Sequence, residues 1–328
     1  MGWGLSLRPS QRLFSSTSPT PNPSPKGEGL LDAEPSTGFI AAVNPAALAI
    51  ILGLFSAVTL AAANMSVKMG GDILAGRAIL SASAAAMVLP GVFFVPLPDA
   101  RVWGALAIAI PAHFAYQLCL VRALQRGELS LVFPIMRGAA PLLTGLFAFA
   151  VLREALSPLA WFGLAIAAAA VAAFAWPPKG VKLPAHPDRA ALGWAAATGV
   201  GIALYNVADA RGVRLAAEPF TYIVWIFLLD CICIVLTALV FRRREMGETL
   251  ALHWKFGAAA GALSVFSYGS AVYAFSLIEA AKVSALRETS VLFAALMGSL
   301  FLGDSFGRRR LIAAAALAAG LMLMEFAG

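Results

Sequence analysis

Two long apolar segments, joined by a short polar turn, occupy residues 127–176. The first runs from Leu129 to Leu152 and holds about twenty apolar residues, enough for a helix to cross a hydrocarbon core of roughly 30 Å. The second ends at Trp176, whose indole ring suits the membrane–water interface. The pattern therefore predicts two membrane-spanning helices, and the first of them carries a single internal charge, Arg137.

The same pattern returns near the C-terminus, over residues 282–324. A shift of 150 positions, the difference between 287 and 137, places Arg137 on Arg287 without a gap. The same shift places the turn acid Glu154 on Asp304. An arginine inside an apolar span and an acid in the following turn rarely align at one offset by chance, so we predict an internal repeat. Repeats of this kind flank a site near the membrane midplane.

Composition supports a membrane protein. Hydrophobic residues make up 60% of the chain and charged residues 12%, with a mean hydropathy of +0.83, whereas a soluble domain has about 25% charged residues. The net charge of +7 lies largely between apolar spans, where Lys and Arg bind lipid head groups. We therefore expect a multi-pass protein of the cell membrane, in the bacterial inner membrane, that contacts membrane lipid and no nucleic acid.

From Pro45 onward the hydropathy pattern predicts ten spans, over 46–67, 72–95, 102–124, 129–152, 158–176, 190–210, 219–241, 254–277, 282–303 and 309–326. A linker over 178–189 separates a first five-helix repeat, 45–177, from a second, 190–328. An odd number of helices in each half inverts the second half relative to the first. The predicted fold class is an all-α membrane protein with ten transmembrane helices in two inverted five-helix repeats.

Residues 1–44 differ from the rest of the chain. They are rich in Ser, Pro and Gly, and such a composition cannot bury a core. We expect a disordered tail, and the alternative is a start codon assigned too far upstream.

The sequence contains no pattern for catalysis or for a metal site. The three cysteines lie in apolar spans without metal or disulfide spacing. The chain has three histidines, and neither HExxH nor GxSxG occurs. We expect no enzymatic activity, no metal ion and no cofactor.

The turn Leu152-Arg153-Glu154-Ala155-Leu156-Ser157, which precedes a helix containing Gly163, resembles a turn of the ten-helix EamA-like branch of the drug/metabolite transporter superfamily. Further motifs that resemble one subgroup are Asn64…Lys68 with Asp72, His113…Tyr116, Gly127-Glu128-Leu129-Ser130, Pro134-Ile135-Met136-Arg137-Gly138, Asp209…Gly212-Val213-Arg214 and Ala285-Leu286-Arg287-Glu288-Thr289-Ser290. The sequence departs from the pattern at Asp304, where Glu is usual, and at Leu60 and Ala63, where the subgroup has His and Trp. The resemblance covers residues 45–326 and implies a small-molecule carrier, often an exporter, with both termini in the cytoplasm.

Polar residues inside the spans are the candidate site residues, since a charge at the bilayer centre costs at least a few kcal/mol and normally faces a cavity or a partner. The candidates for substrate binding are Asn64, Lys68, His113, Tyr116, Arg137, Asp209, Tyr268 and Arg287. The candidates for proton coupling are Glu288 and Asp209. We expect a central cavity lined by helices one, three and four and by their repeat mates six, eight and nine.

Structural roles compete with these assignments. Lys68 is near a helix end and can snorkel to the interface, Arg137 can form an ion pair within the bundle, and His113 can be a hydrogen-bonded core histidine. Asp209 can pair with Arg211, Arg214 or Lys68. The turn acids Glu154 and Asp304 are expected to cap helices or to pair with nearby arginines.

The sign of the deep charges favours an acidic substrate. The positive residues counted inside the spans are Lys68, Arg77, Arg137 and Arg287, and the negative ones are Asp209 and Glu288, which leaves an excess of about two positive charges. Guanidinium groups bind carboxylates and phosphonates in bidentate fashion. We predict a secondary-active exporter of a small polar metabolite, an amino acid or another carboxylate or anion. Two alternatives stay open: an exporter of cationic drugs or amines, and a receptor or structural membrane protein without transport. Membrane orientation stays open too, because the loop count of Lys and Arg puts the termini outside.

Overall fold

The computed structural model describes residues 44–67, 72–127, 129–175, 188–293 and 308–326. Within these ranges the chain is helical and contains no strand. The helices are α1 (Pro45–Val67), α2 (Ile73–Val88), α3 (Ala100–Arg126), α4 (Leu129–Leu152), α5 (Pro158–Ala175), α6 (Arg189–Leu215), α7 (Pro219–Phe241), α8 (Arg243–Phe275), α9 (Ala280–Glu288) and α10 (Arg308–Phe326). The predicted all-α class is therefore confirmed for this part of the chain.

Seven of the described helices, α1 to α4 and α6 to α8, are long and apolar enough to cross a membrane. Two more apolar helices are shorter, Pro158–Ala173 within α5 and Leu311–Glu325 within α10. The sequence predicts a ninth span over 282–303, whereas α9 ends at Glu288 and residues 294–307 lie outside the described ranges. The predicted tail, Lys68 and Asp304 also lie outside them.

Helix starts follow local sequence signals. The carboxylates of Asp72, Asp99 and Asp188 each accept a backbone N–H from the first turn of the helix that follows. An N-cap of this kind satisfies a donor that has no partner inside the helix. Because these signals are local, the predicted starts of α2, α3 and α6 agree with the observed ones to within two residues.

The eighth helix begins earlier than predicted. The sequence predicts a span from residue 254, and α8 starts at Arg243. Its backbone is non-helical at His253, with φ −130° and ψ 18°. The kink therefore separates a charged first part, residues 243–252, from the apolar part that was predicted as the span.

The main packing pairs are α3 with α6, α1 with α8, α5 with α10, α4 with α6, α2 with α8 and α2 with α7. Glycine permits the closest of these approaches: a Cβ at Gly163 of α5 would lie 2.6 Å from the carbonyl oxygen of Gly320 in α10. Small residues let helix backbones meet in this way within a membrane. In the pairs α1–α8 and α3–α6, the first helix of one predicted repeat packs against the third helix of the other.

Candidate functional site

A cavity of about 120 Å³ lies among α1, α2, α3, α6, α7, α8 and α9. Such a volume holds a small molecule rather than a single water. Its polar lining residues are Arg77, Ser81, His113, Tyr116, Gln117, Tyr205, Asp230, Ser264, Ser267, Tyr268 and Arg287. Four of the predicted substrate-binding residues, His113, Tyr116, Tyr268 and Arg287, therefore share one cavity.

The set of helices around this cavity differs in part from the predicted set. Helices α2 and α7 contribute to the wall, whereas the residues that line it include none from α4. The reason is packing: α2 and α7 contact each other and α8, while α4 packs against α5, α6 and α9. Among the described side chains, α1, α3, α6, α8 and α9 line the cavity as predicted and α4 does not; the side chains of 129–131, 133 and 134 in α4 lie outside the described residues.

Asp209 lies next to the cavity wall and is completely buried. His113 Nε2 is 2.7 Å from its Oδ2 atom, and the hydroxyl of Tyr222 donates to Oδ1 over 2.7 Å. The hydroxyl of Tyr268 donates to Oδ2. An ionised carboxylate only accepts hydrogen bonds, so with Asp209 in that state Nε2 of His113 is the donor of their hydrogen bond.

These contacts decide between the alternatives for Asp209. The expected partners Arg211 and Arg214 do not bind it, because Arg214 donates to Glu154 Oε1 over 2.6 Å instead. The partner found is His113, which also stacks on Tyr205 with ring centroids 4.4 Å apart. Asp209 therefore orients two groups of the cavity wall, His113 and Tyr268.

Arg137 forms an ion pair across the two predicted repeats. Its Nη1 atom is 3.1 Å from Glu288 Oε1, and its Nη2 atom donates to Ser290 Oγ over 3.5 Å. Both members of the pair are buried. Arg137 thus forms an ion pair within the bundle, which was the structural alternative to substrate binding. It is absent from the residues that line the cavity.

Glu288 is joined to Arg137 through one oxygen. Its other carboxylate oxygen, Oε2, is buried and has no hydrogen-bond partner among the described residues. A buried acceptor without a partner is costly, and a carboxylate can relieve that cost by taking up a proton. The geometry is compatible with the predicted role of Glu288 in proton coupling, which stays a prediction.

Arg287, the repeat mate of Arg137, faces the cavity. Its Nε atom donates to Ser56 Oγ over 3.2 Å, and its Cζ atom lies 5.0 Å from the centroid of the Tyr268 ring. Ser267 donates to the backbone oxygen of Ser56 over 2.8 Å, which holds that serine in place. Within the described ranges no carboxylate lies within 4.0 Å of Arg287.

Sequence reasoning missed Asp230. It is the single acid of α7, the most hydrophobic of the candidate spans, and it lies in the cavity wall. The rule that selected Asp209, an acid inside an apolar span, would have found it. The side-chain amide of Gln117 donates to both carboxylate oxygens of Asp230 over 3.1 Å, and Arg77 donates to Gln117 Oε1 over 3.4 Å.

Asp230 changes the charge count. Among the described residues, Asp230 joins Asp209 and Glu288 to make three acids against the arginines at 77, 137 and 287, while the buried Lys282 pairs with Glu279 at the start of α9. The predicted excess of two positive charges is therefore absent in this part of the chain. Lys68 lies outside the described residues; Asn64 lies in α1.

The comparison with known families can now be stated. Residues 189–326 match the model of the EamA-like transporter family. The predicted resemblance to this family, a part of the drug/metabolite transporter superfamily, is confirmed by that match. Members of this family are membrane transporters, and the seven apolar helices of the described residues suggest a multi-pass membrane protein.

Two further comparisons bear on the fold and on the sequence. A crystal structure described only as that of a protein matches with a TM-score of 0.68 and 18% identity, over 85% of this chain and 95% of its own. At that identity the likeness concerns the fold alone. No curated protein sequence matches the chain significantly.

Proposed function

We propose that this EamA-like protein is a secondary-active exporter of a small metabolite that carries a carboxylate, such as an amino acid. The observation that carries the proposal is Arg287, which faces the cavity without an acid within salt-bridge distance among the described residues. A guanidinium group offers two parallel donors to a carboxylate. Tyr268, fixed by Asp209, and Ser56 hold this guanidinium in position.

The proposed mechanism is alternating access by two inverted five-helix repeats. Its support is the reciprocity of the helix contacts: α1 packs on α8 as α6 packs on α3, while α2 packs on α7 and α5 on α10. Replacing each helix by its counterpart in the other predicted half, α1 by α6, α2 by α7, α3 by α8 and α5 by α10, reproduces this set of pairs. Inverted repeats place the substrate near the midplane at their interface, and the observed cavity is lined by residues of α1, α3, α6 and α8 among others, which supports this proposal.

Counterflow in proteoliposomes tests the proposal. Wild-type protein should exchange radiolabelled amino acids or simple carboxylates, and Arg287→Gln should abolish exchange because the anion loses its guanidinium partner. Arg287→Lys keeps the charge without the planar fork, so it should retain partial exchange. Arg244→Gln removes an arginine whose side chain is 88% exposed and serves as the matched control.

Two results would overturn this function. Exchange of amines alone would favour the second candidate, an exporter of cationic amines, for which Asp230 in the cavity wall is the supporting observation. Absence of exchange for every compound, with folded protein in the vesicles, would favour a membrane protein without transport.

Proton coupling by Glu288 or Asp209 is a separate part of the proposal. Glu288→Gln should leave exchange intact and remove its dependence on pH, because the amide cannot take up the transported proton. Asp209→Asn should instead weaken substrate binding, since it disturbs Tyr268 and His113. An unchanged pH dependence in both variants would reject a carboxylate proton carrier.

A further inference from the structure

Asp230 is a charged group of the cavity that lacks a charged partner. It is half-buried in α7, and among the described residues no Lys, Arg or His nitrogen lies within 4.0 Å of its carboxylate. Its hydrogen-bond partner is the neutral amide of Gln117. Asp209 and Glu288, by contrast, each have a nitrogen partner of this kind, His113 and Arg137.

The orientation of Gln117 keeps this carboxylate fixed. Arg77 donates to Oε1 of Gln117, so the amide nitrogen of Gln117 must face Asp230. Gln117 therefore stands between the arginine and the acid and prevents a direct ion pair between them. An acid in an apolar span is normally compensated by a partner or by water in a cavity. Among the described residues none supplies a positive charge within 4.0 Å of this carboxylate, which leaves that role to an occupant of the cavity.

We infer that Asp230 binds a cationic nitrogen of the substrate, so that the transported compound carries an ammonium group together with its carboxylate. The inference rests on the proposed function, in which Arg287 binds the carboxylate. A compound with both charges satisfies Asp230 and Arg287 at once. A carboxylate without an ammonium group leaves Asp230 uncompensated and places two acids in a cavity of about 120 Å³. An amine without a carboxylate leaves Arg287 without an anion and meets a second guanidinium group, that of Arg77.

A binding experiment with matched ligands tests this assignment. The ligands are alanine, leucine and phenylalanine, each with its 2-hydroxy acid, which lacks the ammonium group, and its decarboxylated amine, which lacks the carboxylate. Affinities are measured by thermal stabilisation of the purified full-length protein, because a ligand that binds the folded state raises its apparent stability. The side chain that binds best sets the series used for the variants.

The wild-type protein should bind the amino acid about 10- to 100-fold more tightly than its hydroxy acid, the range expected for a charge-assisted hydrogen bond. Asp230→Asn keeps the shape and one acceptor for Gln117, so it should reduce that ratio to near one while the hydroxy acid still binds. Asp99→Asn makes the same chemical change at the N-cap of α3, away from the cavity, and should keep the wild-type ratio.

Each other result has a definite meaning. Equal wild-type affinity for the amino acid and the hydroxy acid would overturn the assignment of Asp230 and leave carboxylate binding by Arg287 intact. An unchanged ratio in Asp230→Asn would overturn it as well. If no carboxylate in the panel binds, the proposed function itself is wrong. The wild-type comparison needs no variant, so it decides the question even if Asp230→Asn fails to fold.

Discussion

The two repeat-related arginines occupy different environments. Arg137 is bound to Glu288, which is 151 positions away in the sequence, while Arg287 lies in the cavity wall. The asymmetry arises because Glu288 follows Arg287 directly, and the corresponding position after Arg137 is a glycine, Gly138. The acid supplied by the second half thus pairs with the arginine of the first half. We expect Arg137 to act on stability and Arg287 on binding.

A double-mutant cycle tests this division. Arg137→Ala should lower the free energy of unfolding by about 3–5 kcal/mol, because it leaves the buried carboxylate of Glu288 without its counter-charge. Adding Glu288→Gln should recover most of that loss. Melting temperatures of the wild type, both single variants and the double variant in one detergent measure the coupling between the two residues.

Ligand binding by the stable double variant then separates the two roles of Arg137. Near wild-type affinity for a carboxylate would agree with the position of Arg137 outside the cavity wall. Loss of binding with normal stability would instead support the sequence-based prediction that Arg137 itself binds the anionic group.

Gly212 is required by the ring of Tyr222. A Cβ atom at this position in α6 would lie 2.1 Å from Cε2 of Tyr222, the residue whose hydroxyl donates to Asp209. Gly212→Ala should therefore destabilise the protein by about 1–3 kcal/mol, as overpacking does, and should weaken binding at the cavity by freeing Asp209. Gly193→Ala lies on the same helix with no atom within 4 Å of the added carbon. Thermal unfolding should show no loss for this control, and equal losses in both variants would contradict the packing argument.

At the scale of the helices, one turn residue joins three elements. Glu154, in the connection between α4 and α5, accepts the N–H of Ala280 over 2.9 Å at the start of α9 and binds Arg214 near the end of α6. Arg214 also donates to the carbonyl oxygens of Phe275 and Ile278 around the end of α8. The prediction that this turn acid caps a helix or pairs with an arginine is confirmed, and it does both. The contact sets the position of α9, which carries Arg287.

Glu154→Ala should accordingly destabilise the protein by about 1–3 kcal/mol and weaken carboxylate binding, since it removes a charged partner from two donors. Glu218→Ala is the matched control, because Glu218 precedes α7 as an N-cap without a side-chain hydrogen bond. Melting temperature and ligand affinity are measured for both variants. A comparable effect of Glu218→Ala would show that loss of any acid near a helix end suffices, and that Glu154 has no special role.

At the scale of the whole molecule, the reciprocal helix pairs are those expected if the two predicted halves have equivalent roles around one cavity. Each half supplies one wall through its first and third helices, α1 and α3 or α6 and α8. If each half crosses the membrane five times, the linker near Gly180 and the C-terminus after Gly328 lie on opposite sides. Four crossings in the second half would place both positions on the same side, and three crossings would again place them on opposite sides; α9 and α10 are short in the described part.

Reporter insertions test this topology. A reporter that is active only outside the cytoplasm, inserted at Gly180 or fused after Gly328, should give opposite signals at the two positions. An insertion after Phe241, two spans beyond the linker, should match the signal at Gly180 and serves as the internal control. Equal signals at Gly180 and Gly328 would exclude five crossings in the second half. The same reporter fusions decide whether the termini face the cytoplasm, as the family resemblance implies.

The sequence by itself determined the helical class, most helix boundaries and the resemblance to the EamA-like family that the match over residues 189–326 supports. Apolar runs act over neighbouring residues and through the solvent, so they can be read from a linear pattern. It also selected His113, Tyr116, Tyr268 and Arg287, because a polar group inside an apolar span is rare. The same rule, applied to α7, would have added Asp230.

Only the tertiary structure decided which charges pair and which face the cavity. Arg137 with Glu288, and His113 with Asp209, are joined over 151 and 96 positions, and no local signal specifies such a partner. The replacement of α4 by α2 and α7 in the cavity wall likewise depends on which helices pack together. In a membrane, helix association follows from shape and small-residue contacts rather than from hydrophobic patterning, since lipid is as apolar as the helix surface. Helix positions are therefore readable from this sequence, and the neighbours of each helix are not.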